Sequence, residues 1–511
     1  MLAPVPNPES LSPRSAVQRR DHAAVWHPCA QMHDYEAFAP LEVKSAAGCV
    51  LELQDGRLLL DTMSSWWCKS LGHGHPRLAA ALRAQTERFE HVIGANTTSE
   101  LLVSMCERLL HAANTNTFTL TSRASATPGP DAAGVRKLQN DHHFTKCFFA
   151  DNGSTGVEVA LKMALQAQHQ SDRPQRTKLA ALSNGYHGET AAAMSVSDLD
   201  LYTSPHGSLM TDVLKLGPVP FRSGPDDPDW MDCSAEWPAI EAQLESMKDE
   251  LAAIIYEPVL QAAGDMRPYS PDLLRRLRHW ADAHDVYLVA DEIAAGLGRC
   301  GTVLASHLAC TPACKACGGE SPNCVGPLPD FAIVSKGLTA GFVPMSVVLT
   351  TQPIYKRFYA PYGTGEGFMH SNTYAGNALA CAVAHAAMDE YAEIDVLDRV
   401  ARMGPVLREK LWSLAETRPY LQKRRGLGMV AAIEICNEDG QPIDLTQRTG
   451  YSVFRAATES TAGTLPDGRR CGAMLRALDD TIYFFPPLNV EEAEIDAMVA
   501  VAGDALDRVM G

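Results

Sequence analysis

The sequence predicts an α/β protein: a large domain on a mostly parallel sheet flanked by helices, with a smaller, discontinuous α+β domain. Three observations carry this expectation. From Lys146 onward, short near-continuous apolar runs (KCFFA, KLAALSN, LAAIIYEP, VYLVADE, DFAIVSKG, MSVVLTT) are interleaved with amphipathic stretches such as TGVEVALKMALQAQH and PDLLRRLRHWADAHD. Strands that are apolar throughout are buried on both faces, as in a parallel sheet covered by helices. After about Thr373 the rhythm changes. The Ala-rich helix NALACAVAHAAMDEY leads to GMVAAIEI and TIYFFPP, read as strands, and to EEAEIDAMVAVAGDALDRVM, a closing helix. Third, GCVLELQDGRLLLDTM reads as a hairpin turning at Asp55-Gly56 and is expected to join the carboxyl-terminal unit.

The resulting division is a disordered leader over residues 1–20, the amino-terminal part of the small domain over 21–62, the large domain over 63–390 and the rest of the small domain over 391–511. Two stretches read as insertions from their polarity and Pro/Gly content: about 114–141, around SRASATPGPDAAG, and about 310–327.

Composition narrows the function. The chain has 511 residues, 46% hydrophobic and 21% charged, which is ordinary for a soluble enzyme. A net charge of -17 argues against general nucleic-acid binding and leaves no polybasic membrane patch. No apolar run approaches the ~18 residues of a membrane span. Small molecules remain as the expected partners. MLAPVPNPESLSPRSAVQRR lacks the apolar centre of a secretory signal; it reads as a leader, with a weak organellar transit segment as the alternative.

The fourteen Cys are scattered, mostly singly in apolar runs (Cys106, Cys147, Cys381), as expected of reduced thiols in the cytoplasm. Cys310, Cys314, Cys317 and Cys324 form one cluster. It has two readings, a structural zinc site or an insertion loop with free or adventitiously oxidised thiols.

The chemistry concentrates where apolar runs end. Asp291 and Glu292 close one, and Lys336 closes the next. Ligands of open α/β sheets bind at the carboxyl ends of strands. An amine and a carboxylate delivered to one crevice suit pyridoxal 5'-phosphate, whose aldehyde takes a lysine and whose ring nitrogen takes an acid. Gly153, Ser154, Thr155 and Gly156 stand at a strand-to-helix turn that suits a phosphate, or form an ordinary helix cap. Tyr186, with His187 beside it, follows KLAALSN and can lie against a ring. Ser371, Asn372 and Thr373 offer further hydroxyl and amide groups before a helix. Trp66 and Trp67 are adjacent in a loop, so that one of them lines a pocket. His73 and His75 read as turn structure rather than metal ligands. Arg476 is a fork for a carboxylate or a surface residue.

Together these residues resemble the class III pyridoxal-phosphate aminotransferases, from WHPCAQMHDYE at Trp26 to IYFFPP at Pro487 and outside the two insertions. ADEIAAGLGRCG, SKG and NGYHGET carry the class. WHP (Trp26–Pro28), MSSWW (Met63–Trp67), MALQ (Met163–Gln166) and EPVLQAAGDMRPYSP are similar to the branch that aminates 8-amino-7-oxononanoate in biotin synthesis. A broad ω-amino acid or diamine:pyruvate aminotransferase is the alternative.

The resemblance implies fold type I and a homodimer with shared sites, with S-adenosylmethionine as the usual amino donor. It makes Lys336 the Schiff-base lysine and Asp291 the ring-nitrogen partner. Gly153 and Ser154 would hold the phosphate and Tyr186 would cover the ring. Asn372 and Thr373 would serve the cofactor, with Thr373 reaching that of the neighbouring subunit. Trp66, Ser371 and Arg476 would meet the substrate. The chain departs from the family pattern at Cys29, where Tyr is usual, at Ser371-Asn372, where Gly-Pro is usual, and at Ala262, which replaces a Gly.

Overall fold

A computed structural model of the chain describes residues 14–120, 142–310, 329–437 and 439–511. Its centre is a seven-stranded sheet: β1 (Phe144–Ala150), β2 (Lys178–Leu182), β3 (Leu214–Leu216), β4 (Leu251–Tyr256), β5 (Tyr287–Asp291), β6 (Phe331–Val334) and β7 (Ser346–Thr351). The strand order is β1-β7-β6-β5-β4-β2-β3. β7 alone runs against the direction of the other six strands. The mostly parallel sheet expected from the apolar runs is therefore present.

Every residue of β4, β6 and β7 is buried, which explains why these runs lack alternation. Helices cover both faces. Helix α1 (Gly153–His169) packs Val157, Ala160 and Ala164 on the side of Ile255 and Val289. Helix α2 (Asp272–His284) packs Leu273, Leu277 and Trp280 on the side of Ile254, Leu288 and Ala290. Successive strand residues thus serve opposite helix layers. Each fully buried Leu or Ile stabilises by about 1.5–3 kcal/mol.

The amino-terminal hairpin joins the carboxyl-terminal part. Strands Val43–Ala47, Val50–Leu53 and Leu58–Asp61 form one sheet with Arg470–Met474 and Gly463–Thr464. Leu58–Asp61 runs parallel to Arg470–Met474. The hairpin turns at Gly56, whose φ of 87° needs a residue without Cβ strain. Leu421–Leu427, Val430–Ile435 and Thr481–Phe484 make a separate antiparallel sheet. Helices α3 (Ala378–Glu393) and α4 (Glu492–Met510) complete the fold.

One expectation is corrected. The leader expected to be disordered through residue 20 gives way to a helix at Ala16–Ala24. Ser15 and Gln18 cap each other reciprocally there, which satisfies amide groups that would otherwise lack partners. Residues 121–141 and 311–328, which hold most of both expected insertions and Cys314, Cys317 and Cys324, lie outside the described residues. Among the described residues no group of His, Cys, Asp or Glu is arranged to hold a metal ion. Among them also, no helix is long and apolar enough to cross a membrane.

The amino ends of β5 and β6, opposite the strand carboxyl ends, are tied by Asp330. Its carboxylate accepts from Arg278 Nη1 and from the Leu288 amide, both at 2.7 Å, and His142 Nδ1 lies 3.6 Å away. Despite burial, Arg278 and His142 hold the Asp330 carboxyl down at about 2. Asp330→Ala leaves Arg278 buried with only Asp282 as partner. It is expected to lower stability by about 3 kcal/mol, read by urea unfolding. Burial alone would depress His142, but Asp282 and Asp330 raise it to about 9 from an ordinary 6.5. Its contribution is complete below pH 6.5 and is lost as pH rises through 9. Asp330 adds stability above its ordinary 3.8, lost as pH falls through about 2.

Candidate active site

The carboxyl ends of β5 and β6 deliver the central pair. Asp291 is the last residue of β5, in register with Ile333 of β6, and Lys336 follows two residues after β6 ends. Asp291 is 4% exposed and fixed through both oxygens. His187 Nδ1 lies 2.8 Å from Oδ2, and the Ile293 amide donates to Oδ1 at 3.2 Å. The two acids that close β5 part company. Glu292 turns away to accept from the Ala305 and Ser306 amides at 2.7 and 2.9 Å, shaping the following loop.

Lys336 sits in a backbone with φ 35°, and its Nζ lies 4.7 Å from the centre of the Trp67 ring. Burial pushes its ammonium below the usual lysine range, against the opposing pull of Asp291, Glu257 and Cys68. A lysine so shifted offers more neutral amine, the form that attacks a carbonyl and takes up a proton. Buried Glu257 is a third acid in this group. It accepts from the Tyr186 amide at 2.9 Å and the Ala262 amide at 3.0 Å, and burial pushes it up to about 7 against the pull of His187.

The strand-to-helix turn is capped by a different residue from those expected. Asn152 is the cap of α1: its side chain accepts from the Thr155 amide while Thr155 Oγ1 accepts from the Asn152 amide. Thr155 thus follows the ordinary cap reading. Gly153 and Ser154 occupy the first turn of this seventeen-residue helix, Gly153 close against Ile293 and Ser154 against the loop of Gly188. A Cβ on Gly188, whose φ is 118°, would stand 2.1 Å from Ser154 Oγ. Only glycine lets that loop close on the helix start. Tyr186, half-buried, donates to Glu189 Oε1 at 2.9 Å and meets the Tyr202 ring edge-on at 5.3 Å.

Trp66 and Trp67 lie in a turn, Ser64–Trp67, in which all four residues have positive φ (51°, 45°, 73° and 69°). This is a left-handed helical turn without glycine, costing about 1–2 kcal/mol per residue. It sends the two indoles apart. Trp67 is 5% exposed and faces Lys336, whereas Trp66 is 40% exposed with the Arg476 guanidinium 4.6 Å over its ring. Arg476 Nη2 also donates to the Cys29 carbonyl at 3.0 Å, which brings WHPC to the same place, and Tyr202 OH lies 3.8 Å from Cys29 Sγ.

Ser371 and Thr373 are exposed in the single chain, Asn372 is partly buried, and Tyr374 is 61% exposed. Sequence reasoning missed Glu257 and the pairing of His187 with Asp291. The glutamate stood in EPVLQAAG, where a carboxylate ending an apolar run was the available signal. Trp67 was named only as one of two candidates.

The family model for class III aminotransferases matches residues 31–506. The chain belongs to the class III aminotransferases. Relatives named adenosylmethionine-8-amino-7-oxononanoate aminotransferase include that of Helicobacter pylori, 30% identical over 95% of this chain and 96% of the relative. That of Geobacter sulfurreducens is 31% identical over 96% and 97%. Among solved structures, the enzyme of that name from Methanocaldococcus jannaschii superposes with a TM-score of 0.78 at 24% identity, over 96% of this chain and 99% of the other. A PLP-bound amine transaminase from an uncultivated Pseudomonas species gives 0.78 at 26% identity over 95% and 99%. This class III aminotransferase therefore has the fold of PLP-dependent transaminases.

Proposed function

We propose that this aminotransferase uses pyridoxal 5'-phosphate to transfer an amino group from S-adenosylmethionine to 8-amino-7-oxononanoate. The product would be 7,8-diaminononanoate for biotin synthesis, and the enzyme would work as a cytoplasmic homodimer. The observation that carries the reading is the buried Lys336 amine, set against the Trp67 ring and within electrostatic reach of Asp291, with the neighbouring Trp66 lying under Arg476. The names of the near full-length relatives support the substrate. In this reading residues 21–62 and 391–511 form the small domain around a large domain at 63–390.

The residues fit the cofactor. A buried carboxylate anchored by His187 and Ile293, an amine with a depressed pKa, and the amino-terminal turn of a seventeen-residue helix at Gly153 and Ser154 match its ring nitrogen, aldehyde and phosphate. When bound, the cofactor supplies the aldehyde that captures the donor amine and the ring that accepts electrons on deprotonation. Asp291 keeps the ring nitrogen protonated, and His187 holds Asp291 in place. The Lys336 amine would hold the cofactor's aldehyde and, when released, would serve as the base and acid for the proton of the donor carbon. Gly153 and Ser154 bind the phosphate, and Tyr186 covers the ring. Asn372 and Thr373 serve the phosphate across the dimer. Exposed Tyr359, Tyr362 and Tyr374 in the same segment support a partner there. Ser371 and Trp66 border the substrate, and Arg476 takes its carboxylate.

Arg476→Ala is expected to raise KM for 8-amino-7-oxononanoate about 10- to 100-fold, with a smaller effect on kcat, in steady-state kinetics. Incubation with 8-amino-7-oxononanoate and each candidate donor tests the whole reading. Diaminononanoate formed with S-adenosylmethionine is the expected result. Its absence with every donor, or efficient use of pyruvate in place of the oxononanoate, contradicts it.

A further inference from the structure

The Ser64–Trp67 turn needs something outside itself to hold it. Four L-residues in the left-handed region have no intrinsic preference for it, and no glycine eases the strain. What surrounds the turn is a small cluster of polar groups. Asp61, the last residue of its strand and 1% exposed, accepts from the Ser65 amide through Oδ1 at 3.0 Å and from Ser65 Oγ through Oδ2 at 2.7 Å. His73 Nε2 stands 2.8 Å from the same Oδ2 and 3.3 Å from Ser65 Oγ. His73 is itself fixed by a pair of backbone bonds to Gly48, at 2.8 and 3.0 Å. On the other side, Ser64 Oγ donates to the Phe485 carbonyl at 2.7 Å.

Ser, His and Asp in one cluster invite comparison with a nucleophilic triad, but the geometry is different. His73 and Ser65 converge on a single oxygen of Asp61 through Nε2 and Oγ, so no imidazole stands as a relay between the other two. The arrangement is a clamp on the first residues of the turn.

We propose that Asp61 and His73 are positioning residues of the aminotransferase site, locking the left-handed turn so that Trp67 faces Lys336 while Trp66 lies beneath Arg476. Released from the clamp, the backbone relaxes toward right-handed or extended geometry, which redirects both indoles. Trp67 also leans on Tyr483 and Phe485, with ring centres 6.5 and 6.0 Å away, and the Arg299 guanidinium backs Phe485 at 3.9 Å. These contacts define the pocket for the indole; the clamp decides whether it arrives there. One turn thereby sets the wall beside the reacting amine and the floor under the carboxylate-binding guanidinium. The proposal rests on the roles given above to Lys336 and Arg476.

Asp61→Asn and His73→Gln in the holoenzyme test it. The near-UV circular dichroism of Trp66 and Trp67, assigned from the Trp66→Phe and Trp67→Phe variants, should lose intensity in both. KM for 8-amino-7-oxononanoate should rise, and kcat fall, about 10-fold each, with melting temperature and cofactor content close to wild type. Adding Ser65→Gly to Asp61→Asn, which admits positive φ without strain, should recover much of the indole spectrum. Should Asp61→Asn fail to fold, His73→Gln reads the same quantities. A wild-type indole spectrum and wild-type kinetics in the folded variants overturn the clamp, as does a double variant no better than the single one. The spectrum needs no substrate, so it decides the clamp even if Lys336→Ala retains turnover and the reading of the site fails.

Discussion

Lys336→Ala is expected to abolish transamination, by at least ~10³-fold, while the protein stays folded. The size follows from two jobs done by one atom. In the proposed function Nζ would bond the cofactor aldehyde and would also serve as base and acid for the proton moved in each half-reaction. Its environment serves both jobs, since burial depresses its pKa and the Trp67 ring bounds the space it moves in. Loss of the side chain should also remove the visible absorbance of lysine-bound cofactor. The fold should survive, because the β6 strand that precedes the lysine is buried through Phe331–Val334 and does not depend on the amine. Undiminished turnover in a folded variant contradicts the assignment.

Asp291→Asn should keep some cofactor yet lose roughly 10²- to 10³-fold in kcat. An amide fills the same volume, so the strand end and the Ile293 amide contact have no steric reason to move. What disappears is the negative charge that, in the proposed function, would keep the ring nitrogen protonated. Without it the ring is a weaker electron acceptor at the step where the donor carbon loses its proton. The loss should fall on single-turnover deprotonation, measured by stopped-flow, more than on substrate binding. Wild-type kcat in the Asp291→Asn enzyme would show that the carboxylate is not the ring partner.

The sheet was legible because β4, β6 and β7 are buried on both faces, leaving runs such as LAAIIY and FAIV that are apolar throughout. Asp291 and Lys336 were legible for a related reason, since a charge ending such a run has to emerge at a strand end. The hairpin was written in Asp55-Gly56. Its union with Arg470–Met474 was expected only as membership of the same unit, and the parallel pairing came from the fold.

What was not legible depends on contacts far apart in sequence. His187 reaches Asp291 across 104 positions, and Arg476 reaches the Cys29 carbonyl across 447. Neither spacing leaves a pattern in a single chain. The left-handed turn was hidden for another reason. Positive φ is ordinarily announced by glycine or asparagine, and here Ser-Ser-Trp-Trp is held there by Asp61 and His73 from outside. In the sequence His73 reads as turn structure without an acidic partner; Asp61, twelve residues earlier, is that partner. Asn152 was obscured as the cap by the Ser and Thr that follow it, although asparagine caps helices as well.

The most direct test of the account is to reduce the holoenzyme with borohydride, digest it and locate the cofactor by peptide mass spectrometry. The account predicts a single pyridoxyl-phosphate adduct, on Lys336. An adduct on another lysine, or none in a cofactor-bearing and active sample, would contradict it.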